Sequence, residues 1–315
     1  MGARSLANGG CAPAVRQNGA VTTSSARAPG AGGRPAGVPA GLADRYTAAW
    51  ELVPDGRARD DGGALVLPVR TRAGEPALLR LSPPRPGAEH EHLALRVWAG
   101  RGAVRLLRAE PADRALLLER TADRDLHELP VLEACRVLGE LTRVLARPPR
   151  PPFPRLSETA RRWQAELEGA VDLDARFPRR FRLQAVRSLE RLRRDELDAA
   201  LVHQDLHHGA VRASPRAPWL AVGADAMVGT PEFALVPALW HRTEEAGHGG
   251  ALAAALADRM EALALAAGAD EERLRAWTLV RCAVAARDEA RRPTGAPHRE
   301  VGRLVQLCKA VQRGA

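Results

Sequence analysis

The stretch from residue 199 to residue 242 constrains the fold of this chain more than any other. An apolar run, AALV at residues 199–202, ends at the polar cluster HQDLHHG of residues 203–209. A second short apolar run, WLAV, follows at residues 219–222. The pattern predicts two short strands flanking a loop rich in Asp and His, a framework that aims one carboxylate, Asp205, into a cleft.

The first 43 residues differ in composition from the rest of the chain. Residues 1–43 are almost entirely Gly, Ala, Pro, Ser, Arg and Val and have neither a strand period nor a helix period. Such a segment cannot bury enough apolar surface to offset the entropy of ordering, so we expect a disordered Ala/Gly/Pro-rich tail. The 315 residues of the whole chain allow two lobes and one sizeable core.

Charge and cysteine content narrow the class of protein. A formal net charge of +9 would permit a nucleic-acid partner. However, the basic residues are spread over every predicted helix, and a single tyrosine offers little for base stacking. No segment approaches the ~20 uncharged apolar residues of a membrane span. Because the four cysteines lack metal-binding spacing, we expect reduced thiols in a cytoplasmic protein without nucleic-acid or membrane partners.

Apolar periodicity divides the chain into a strand-rich part and a helical part, which predicts an α+β fold. Residues 64–70 and 75–81 are apolar-rich runs separated by the turn sequence TRAG, which indicates a hairpin. The residues that follow change to the period of a helix over most of their length. The remaining predicted elements are strands at 104–107 and 115–118 and helices at 45–53, 87–98, 131–146, 156–170, 177–194, 231–242, 251–267, 271–290 and 298–312.

The residues around Asp205 resemble a known family. The segments HQDLHHGAV at 203–211, PWLA at 218–221 and VGTPEFALVPALWHR at 228–242 look like the catalytic segment of the aminoglycoside phosphotransferases. They are most similar to the streptomycin 6-kinase group, also called the aminoglycoside/hydroxyurea antibiotic resistance kinases. Because the resemblance begins only near Val38, a misplaced start codon is an alternative explanation for the tail.

The resemblance implies a protein-kinase-like two-lobe fold and a reaction. A small nucleotide-binding N-lobe would span residues 44–121, and a helical C-lobe with the catalytic loop and the substrate-binding region would span residues 122–315. Enzymes of the family transfer phosphate from ATP to an alcohol group, and the aspartate at the position of Asp205 accepts the proton from, or orients, the acceptor hydroxyl. The expected partners of a monomer are therefore ATP and a small molecule such as an aminoglycoside.

Two N-lobe residues stand at positions where the family binds the nucleotide phosphates. Arg80, in PALLRLS, replaces the family lysine, and the only lysine of this chain is Lys309. Arginine keeps the charge but has a longer, planar group, so the exchange is not conservative at a close-fitting phosphate site. Glu91, in the helix predicted at 87–98, stands where the family has the partner of this cation, so we predict an Arg80–Glu91 ion pair.

Other small-lobe residues are candidates for nucleotide contacts. Gly62 and Gly63 lie where the backbone would pass close to phosphate, although ordinary turns use paired glycines as often. Glu119 begins the predicted hinge, where adenine would contact the backbone.

The chain departs from the family at the metal-binding positions. Ala210 stands where the family has a metal-binding asparagine, and Gly223 where it has a metal-binding aspartate. Neither side chain offers an oxygen, and Mg²⁺ requires oxygen ligands, so Mg²⁺ binding is in doubt. Asp225 is a substitute metal ligand in one interpretation and a surface turn residue in another. Thr230 and Ala234 replace acidic residues that brace the catalytic loop in the family.

Two hypotheses follow. The first is an ATP-dependent phosphotransferase that keeps Asp205 and acts on an aminoglycoside-like hydroxyl. The second is a pseudokinase, a nucleotide- or ligand-binding regulatory module with impaired catalysis. Acidic residues near the carboxyl end could meet a polycationic substrate or could be solvated helix faces. These residues are Glu244, Glu245, Asp258 and Asp270.

Overall fold

The amino-terminal part of the chain forms a small lobe around one antiparallel sheet. The computed structural model describes residues 35, 37–85, 87–292 and 297–313. The strands of this lobe are β1 (Val53–Pro54), β2 (Arg59–Asp61), β3 (Ala64–Arg70), β4 (Pro76–Leu81), β5 (Leu106–Glu110) and β6 (Ala115–Glu119), and its helices are α1 (Leu42–Ala49) and α2 (Glu91–Trp98). The strand order is β1-β3-β4-β6-β5, and β2 pairs with β3.

Alternate residues of the sheet pack on opposite faces, as the period of a strand requires. Leu67 and Leu79 pack with Tyr46 of α1 in a small core on one face. Val66 and Leu78 belong to the larger core that includes α2 and the second lobe. The sheet is therefore covered on both faces, and α2 lies between it and the rest of the molecule.

The small core extends into the predicted tail. Val38 and Leu42 lie within the predicted tail, and both are buried in the same small core as Tyr46. The small core therefore includes residues that precede the predicted boundary at residue 44, and the division of the chain into domains stays a prediction. The rest of the predicted tail, residues 1–34 and 36, lies outside the described residues, as does Cys11.

The carboxyl-terminal part forms a large helical lobe with two short β-ladders. Its helices are α3 (Val131–Leu145), α4 (Leu156–Glu168), α5 (Arg179–Leu192), α6 (Pro231–Trp240), α7 (Gly250–Ala267), α8 (Glu271–Ala290) and α9 (Pro297–Arg313), and its strands are β7 (Ala200–His203), β8 (Val211–Arg212), β9 (Leu220–Ala221) and β10 (Ala226–Gly229). Helix α8 packs against α5, α6 and α9 at the centre. All ten residues of α6 except Pro231 are buried, so the segment after the catalytic loop is held in the core. The α+β two-lobe prediction is confirmed.

Two strand predictions need correction. The strand expected at residues 104–107 is β5, and it starts at Leu106 because Val104 donates its N–H to the carbonyl of Ala221 in the large lobe, 3.0 Å away. Strand β10, at residues where no element was predicted, pairs antiparallel with β7 from Ala226 to Gly229. Local sequence did not indicate β10 because its stability comes from the ladder with β7.

Three of the cysteines lie inside the helices of the large lobe. Cys135, Cys282 and Cys308 are buried and form no disulfide, as predicted for reduced thiols. Within the part of the chain that the structure describes, no helix has the length and apolar character needed to span a bilayer.

A glycine allows α3 and α7 to approach closely, which can be tested. A Cβ added at Gly139 would lie 2.7 Å from the Ala266 Cβ and 2.7 Å from the Leu263 carbonyl oxygen. We expect Gly139→Ala to lower the free energy of unfolding by about 1–3 kcal/mol in urea denaturation, because the helices must separate.

The control is another helical glycine, Gly302 of α9, whose added Cβ would meet nothing within 4 Å. Gly302→Ala should be neutral or stabilising by up to about 1 kcal/mol, because alanine has the higher helix propensity. Equal effects of the two substitutions would contradict the proposed contact between α3 and α7.

Candidate active site

Asp205 lies in the loop that follows β7. Its backbone N–H donates to Nδ1 of His203 across 3.3 Å, and Nε2 of His203 lies 3.3 Å from the carbonyl oxygen of Val222. A neutral imidazole that carries its proton on Nε2 satisfies both contacts. The His203 ring also stacks on Trp98 of α2, with centroids 5.7 Å apart. The small lobe, the catalytic loop and β9 therefore meet at one buried histidine.

The Asp205 side chain is partly buried among cations. Burial raises the pKa of the Asp205 carboxyl, and the positive charges of Arg281 and Arg85 act in the opposite direction. Arg281 and Arg85 come from different lobes, since Arg281 is in α8 and Arg85 is in the loop between β4 and α2. Asp205 therefore lies in the cleft between the lobes, as predicted.

Arg281 is a site residue that the sequence analysis missed. It is 4% exposed, and its Nη1 donates to the carbonyl oxygens of Gln204, 3.1 Å away, and Phe233, 3.3 Å away. Its guanidinium also lies over the rings of Phe233 and Trp240. Burial lowers its pKa to about 10, so it stays charged at neutral pH and braces the loop where Ala234 cannot. An arginine within the apolar run LVRCAVAA is the signal that could have identified it.

The predicted Arg80–Glu91 ion pair is present. Nη1 of Arg80 lies 3.3 Å from Oε1 of Glu91, and the two residues are 7% and 2% exposed. A second cation, Arg85, approaches the other oxygen of Glu91 at 3.9 Å and Oδ2 of Asp225 at 4.0 Å. Arg85 was not predicted because its position in the loop sequence SPPRPG has no motif.

The β2–β3 hairpin and the hinge border a cavity between the lobes, but neither Gly62 nor Gly63 lines it. Gly62 and Gly63 form the tip of the β2–β3 hairpin, and Gly63 donates its N–H to Oδ1 of Asp60 across 2.7 Å. Both glycines have positive φ, and a Cβ added at either would meet nothing within 4 Å. The residues that line the cavity are Arg59, Asp61, Val66, Leu78, Arg80, Val104, Leu118, Glu119, Thr121, Arg212 and Val222.

Glu119 lies in this lining, but its side chain is already paired. Its carboxylate accepts from the backbone N–H of Arg105, 2.7 Å away, and from the guanidinium of Arg216, 2.6 and 3.1 Å away. The hinge therefore offers mainly backbone groups and apolar side chains, Leu118 and Val104 among them, to a planar ligand. A nucleotide-binding role for Glu119 stays a prediction.

The residues at the expected metal positions do not fit a divalent cation. The carbonyl of Ala210 accepts from Val222 N across 2.8 Å, and that of Gly223 accepts from Asp225 N across 2.7 Å. A Cβ added at Gly223 would lie 3.4 Å from Nη1 of Arg80, so a guanidinium borders the space of the missing ligand. Among the residues described, no three His, Cys, Asp or Glu side chains could together hold a metal ion.

Asp225 is neither a surface turn residue nor a free ligand. Its side chain is 12% exposed, and its Oδ1 accepts from Nε2 of Gln204 across 2.9 Å. A Cβ added at Gly87 would lie 2.6 Å from this oxygen. Burial raises the pKa of Asp225, while Gln204 and Arg85 favour the ionised form. The Asp225 carboxylate therefore contacts Gln204 on one side and the backbone near Gly87 on the other. A metal-binding role for Asp225 stays a prediction.

A group of histidines lies beside the catalytic loop. The rings of His207 and His241 stack with centroids 4.2 Å apart, and His208 lies between His127 and His241. Burial lowers the pKa of His207 to about 4, of His208 to about 2 and of His241 to about 3. Neither ring nitrogen of His208 has a hydrogen-bond partner. These imidazoles are neutral in the folded protein, which agrees with a structural role.

Comparison with known proteins adds the family context. The family described as aminoglycoside/hydroxyurea antibiotic resistance kinase matches residues 49–292. Streptomycin 6-kinase of Streptomyces griseus is 36% identical over 252 residues, 78% of this chain and 81% of that protein. Hydroxyurea phosphotransferase of Kitasatospora aureofaciens is 36% identical over 251 residues, 78% of this chain and 71% of that protein.

Solved structures confirm the protein-kinase-like fold. An aminoglycoside phosphotransferase in ternary complex with AMP-PNP and hygromycin B superposes with a TM-score of 0.59 at 15% identity, covering 88% of this chain and 99% of that one. A choline/ethanolamine kinase family protein from Mesorhizobium loti gives a TM-score of 0.57 at 15% identity, covering 86% and 94%. At such identities the likeness concerns the fold alone.

His208 should make the stability of the protein depend on pH. Its pKa in the folded state, about 2, lies below the ordinary 6.5, so the unfolded chain binds the proton first. Its contribution to stability is present above pH 6.5 and falls by about 1.4 kcal/mol for each pH unit below it. We expect His208→Phe to reduce the loss of Tm between pH 7.5 and 5.5, because phenylalanine needs neither a proton nor a hydrogen bond.

The control is His248→Phe, at an exposed histidine, which should leave the pH dependence of Tm unchanged. An identical Tm loss in His208→Phe and in the unaltered protein would show that His208 is not a buried neutral group.

Proposed function

The chain belongs to the aminoglycoside/hydroxyurea antibiotic resistance kinase family, and from this we propose that it transfers phosphate from ATP to an alcohol group of a small molecule. The observation that carries the proposal is the position of Asp205 in the interlobe cleft, beside cations from both lobes. Phosphoryl transfer depends mainly on positioning the reactants and on stabilising the charge of the phosphates. Both requirements have candidate residues in this cleft.

Asp205 is the proposed proton acceptor. The acceptor hydroxyl would attack the γ-phosphorus, the bond to the β-phosphate oxygen would break, and the hydroxyl proton would pass to the Asp205 carboxylate as ADP leaves. Arg281 opposes the effect of burial on the Asp205 pKa and so favours the ionised form that accepts a proton. Arg281 is therefore a positioning residue, because it acts through the loop and through charge.

The nucleotide would lie in the cavity between the hinge and the β2–β3 hairpin. Arg80, held by Glu91 at 3.3 Å, is the proposed contact for the α- and β-phosphates. Gly62 and Gly63 would cover the phosphates, because the absence of side chains there permits close approach of the backbone. The apolar walls of the cavity suit adenine, with the backbone at residues 119–121 as the hydrogen-bonding edge.

The proposed acceptor is an aminoglycoside-class alcohol. Relatives named streptomycin 6-kinase, from Streptomyces griseus and Streptomyces glaucescens, support this choice. Two of the four acidic residues that could meet a polycationic substrate already have other partners. Glu245 pairs with Arg242, and Asp270 caps α8. Glu244 and Asp258 are exposed and remain candidates for contacts with the substrate.

The proposal also includes a cytoplasmic location, because ATP is a cytoplasmic substrate, and a monomeric state. The family assignment does not favour the pseudokinase alternative. Ala210 and Gly223 replace metal-binding residues of the family, so they change how the phosphates can be bound. A measurement of turnover decides between the phosphotransferase and the pseudokinase.

Turnover should depend on Asp205. With ATP and streptomycin, and with Mg²⁺ present or absent, we expect the protein to release ADP and Asp205→Asn to lose about 10²–10⁴-fold in kcat, because one positioned acid–base group is removed. Asp172→Asn, at an exposed aspartate between α4 and α5, is the control and should retain activity. ADP release no greater than that of Asp205→Asn, with streptomycin and with hydroxyurea, would reject the proposed reaction for these acceptors.

Arg281 should control the acid limb of the pH profile. Since its charge lowers the pKa of Asp205, Arg281→Met is expected to move the acid limb of kcat/KM to higher pH. Arg281→Lys keeps the charge and should restore most of the profile. A fall in activity with an unchanged profile in Arg281→Met would mean that the arginine only supports the loop structure.

A further inference from the structure

We propose that Arg80 and Arg85 bind the nucleotide phosphates in this chain without a divalent cation. The ligand class is a nucleoside triphosphate or diphosphate, and the location of the site rests on the proposed function. The inference starts from a disagreement: the family binds a metal through residues that are Ala210 and Gly223 here, and the groups around these positions do not fit a metal.

Arg80 borders the space of the missing metal ligand. Its Nη1 lies 3.4 Å from the position that a Cβ at residue 223 would take. A shorter lysine ammonium would not extend as far toward β9 and β10. Residue 223 is a glycine instead of the family aspartate, and the guanidinium of Arg80 lies next to it. A positive group therefore borders the position where the family has a negative one. A divalent cation placed next to this guanidinium would be repelled by it.

Arg80 also keeps donors for a phosphate. Among the described residues, its polar partners are Oε1 of Glu91 at 3.3 Å and Oγ of Ser82 at 3.4 Å from Nε. The Oε1 atom of Glu91 is buried and lacks a hydrogen bond of good geometry. A guanidinium has five N–H groups in a planar fork that matches phosphate oxygens. Arg80 is therefore held in place by Glu91 with most of its donors uncommitted.

Arg85 supplies the second positive charge. Its side chain is 26% exposed and lies 3.9 Å from Glu91 and 4.0 Å from Asp225, which are long distances for ion pairs. Its charge lowers the pKa of Asp205, so it is close enough to act on the proposed proton acceptor. An arginine in loose pairs beside the proton acceptor can bind the terminal phosphate of a nucleotide.

The arginines compensate for the charge of a metal rather than for its coordination. Arg80 takes the place of the family lysine and adds no charge, so Arg85 supplies one positive charge, and the glycine at residue 223 removes the negative charge of the family aspartate. Lys309, the only lysine, is in α9, so the cations of the small lobe are arginines alone. Guanidinium groups stay protonated at every physiological pH, and this supply of charge does not depend on metal concentration.

The test measures nucleotide binding to the unaltered protein by isothermal titration calorimetry. ATP is titrated once in EDTA and once with excess Mg²⁺. We expect Kd values that agree within about threefold. Binding that tightens more than about tenfold with Mg²⁺, or no binding under either condition, would overturn the proposal.

Variants assign the binding to the arginines. In EDTA, Arg85→Gln is expected to weaken ATP binding by about tenfold or more, because a charge-assisted contact to phosphate is lost. Arg161→Gln is the matched control at an exposed arginine of α4, and its Kd should not change. Equal Kd values for Arg85→Gln, Arg161→Gln and the unaltered protein would contradict the role of Arg85.

A combined substitution should make nucleotide binding depend on Mg²⁺ again. Arg80→Lys with Ala210→Asn and Gly223→Asp restores the family residues, and an aspartate tolerates the positive φ of +67° at residue 223 better than most side chains. We expect ATP binding by this variant to tighten at least about tenfold on addition of Mg²⁺. A folded variant whose Kd ignores Mg²⁺ would mean that these positions do not determine metal use.

The outcome of the nucleotide-binding test can be distinguished from the outcome of the turnover test. Metal-independent binding without ADP release would retain the arginine site and reject the phosphotransferase. Turnover and binding that both require Mg²⁺ would retain the phosphotransferase and reject the arginine site.

Discussion

A buried guanidinium, that of Arg281, is the interaction on which the candidate site depends most. A charge inside a protein is tolerated only when hydrogen bonds and opposite charges compensate for its lost hydration. Here the compensation comes from the carbonyls of Gln204 and Phe233 and from the charge of Asp205. One side chain therefore joins α8, the start of α6 and the catalytic loop, and the same contacts that satisfy the cation fix the position of the carboxylate.

The rest of the site consists of arginines paired with carboxylates. Arg80 and Arg85 face Glu91 and Asp225 at 3.3 to 4.0 Å, and all four lie near the catalytic loop. In a partly buried cleft such charges interact more strongly than at a surface. Residue 223 has no side-chain oxygen, and the guanidinium of Arg80 lies beside the space that such a side chain would fill. The two departures from the family pattern, Arg80 and Gly223, are therefore adjacent in the structure.

The lobes are connected through specific contacts around these pairs. Trp98 of α2 donates its indole N–H to the carbonyl of Leu145, 2.9 Å away, and stacks on His203. On the hinge side, Arg216 reaches Glu119 and the carbonyl of Ala103. Arg212 approaches Asp61 of the β2–β3 hairpin at 3.8 Å. The helix that carries Glu91 and the strand that precedes Asp205 are thus held in a defined relation.

Sequence alone determined the elements whose information is local. The run at residues 199–202 and the polar cluster after it placed Asp205 at a strand end, and the spacing of a strand and a helix in a familiar motif was enough for the Arg80–Glu91 pair. Only the tertiary structure decided that Arg281 braces a loop 77 residues earlier, that β10 is a strand and that Asp225 is turned toward Gln204. These depend on contacts between distant segments, and neither periodicity nor composition encodes which distant groups will meet.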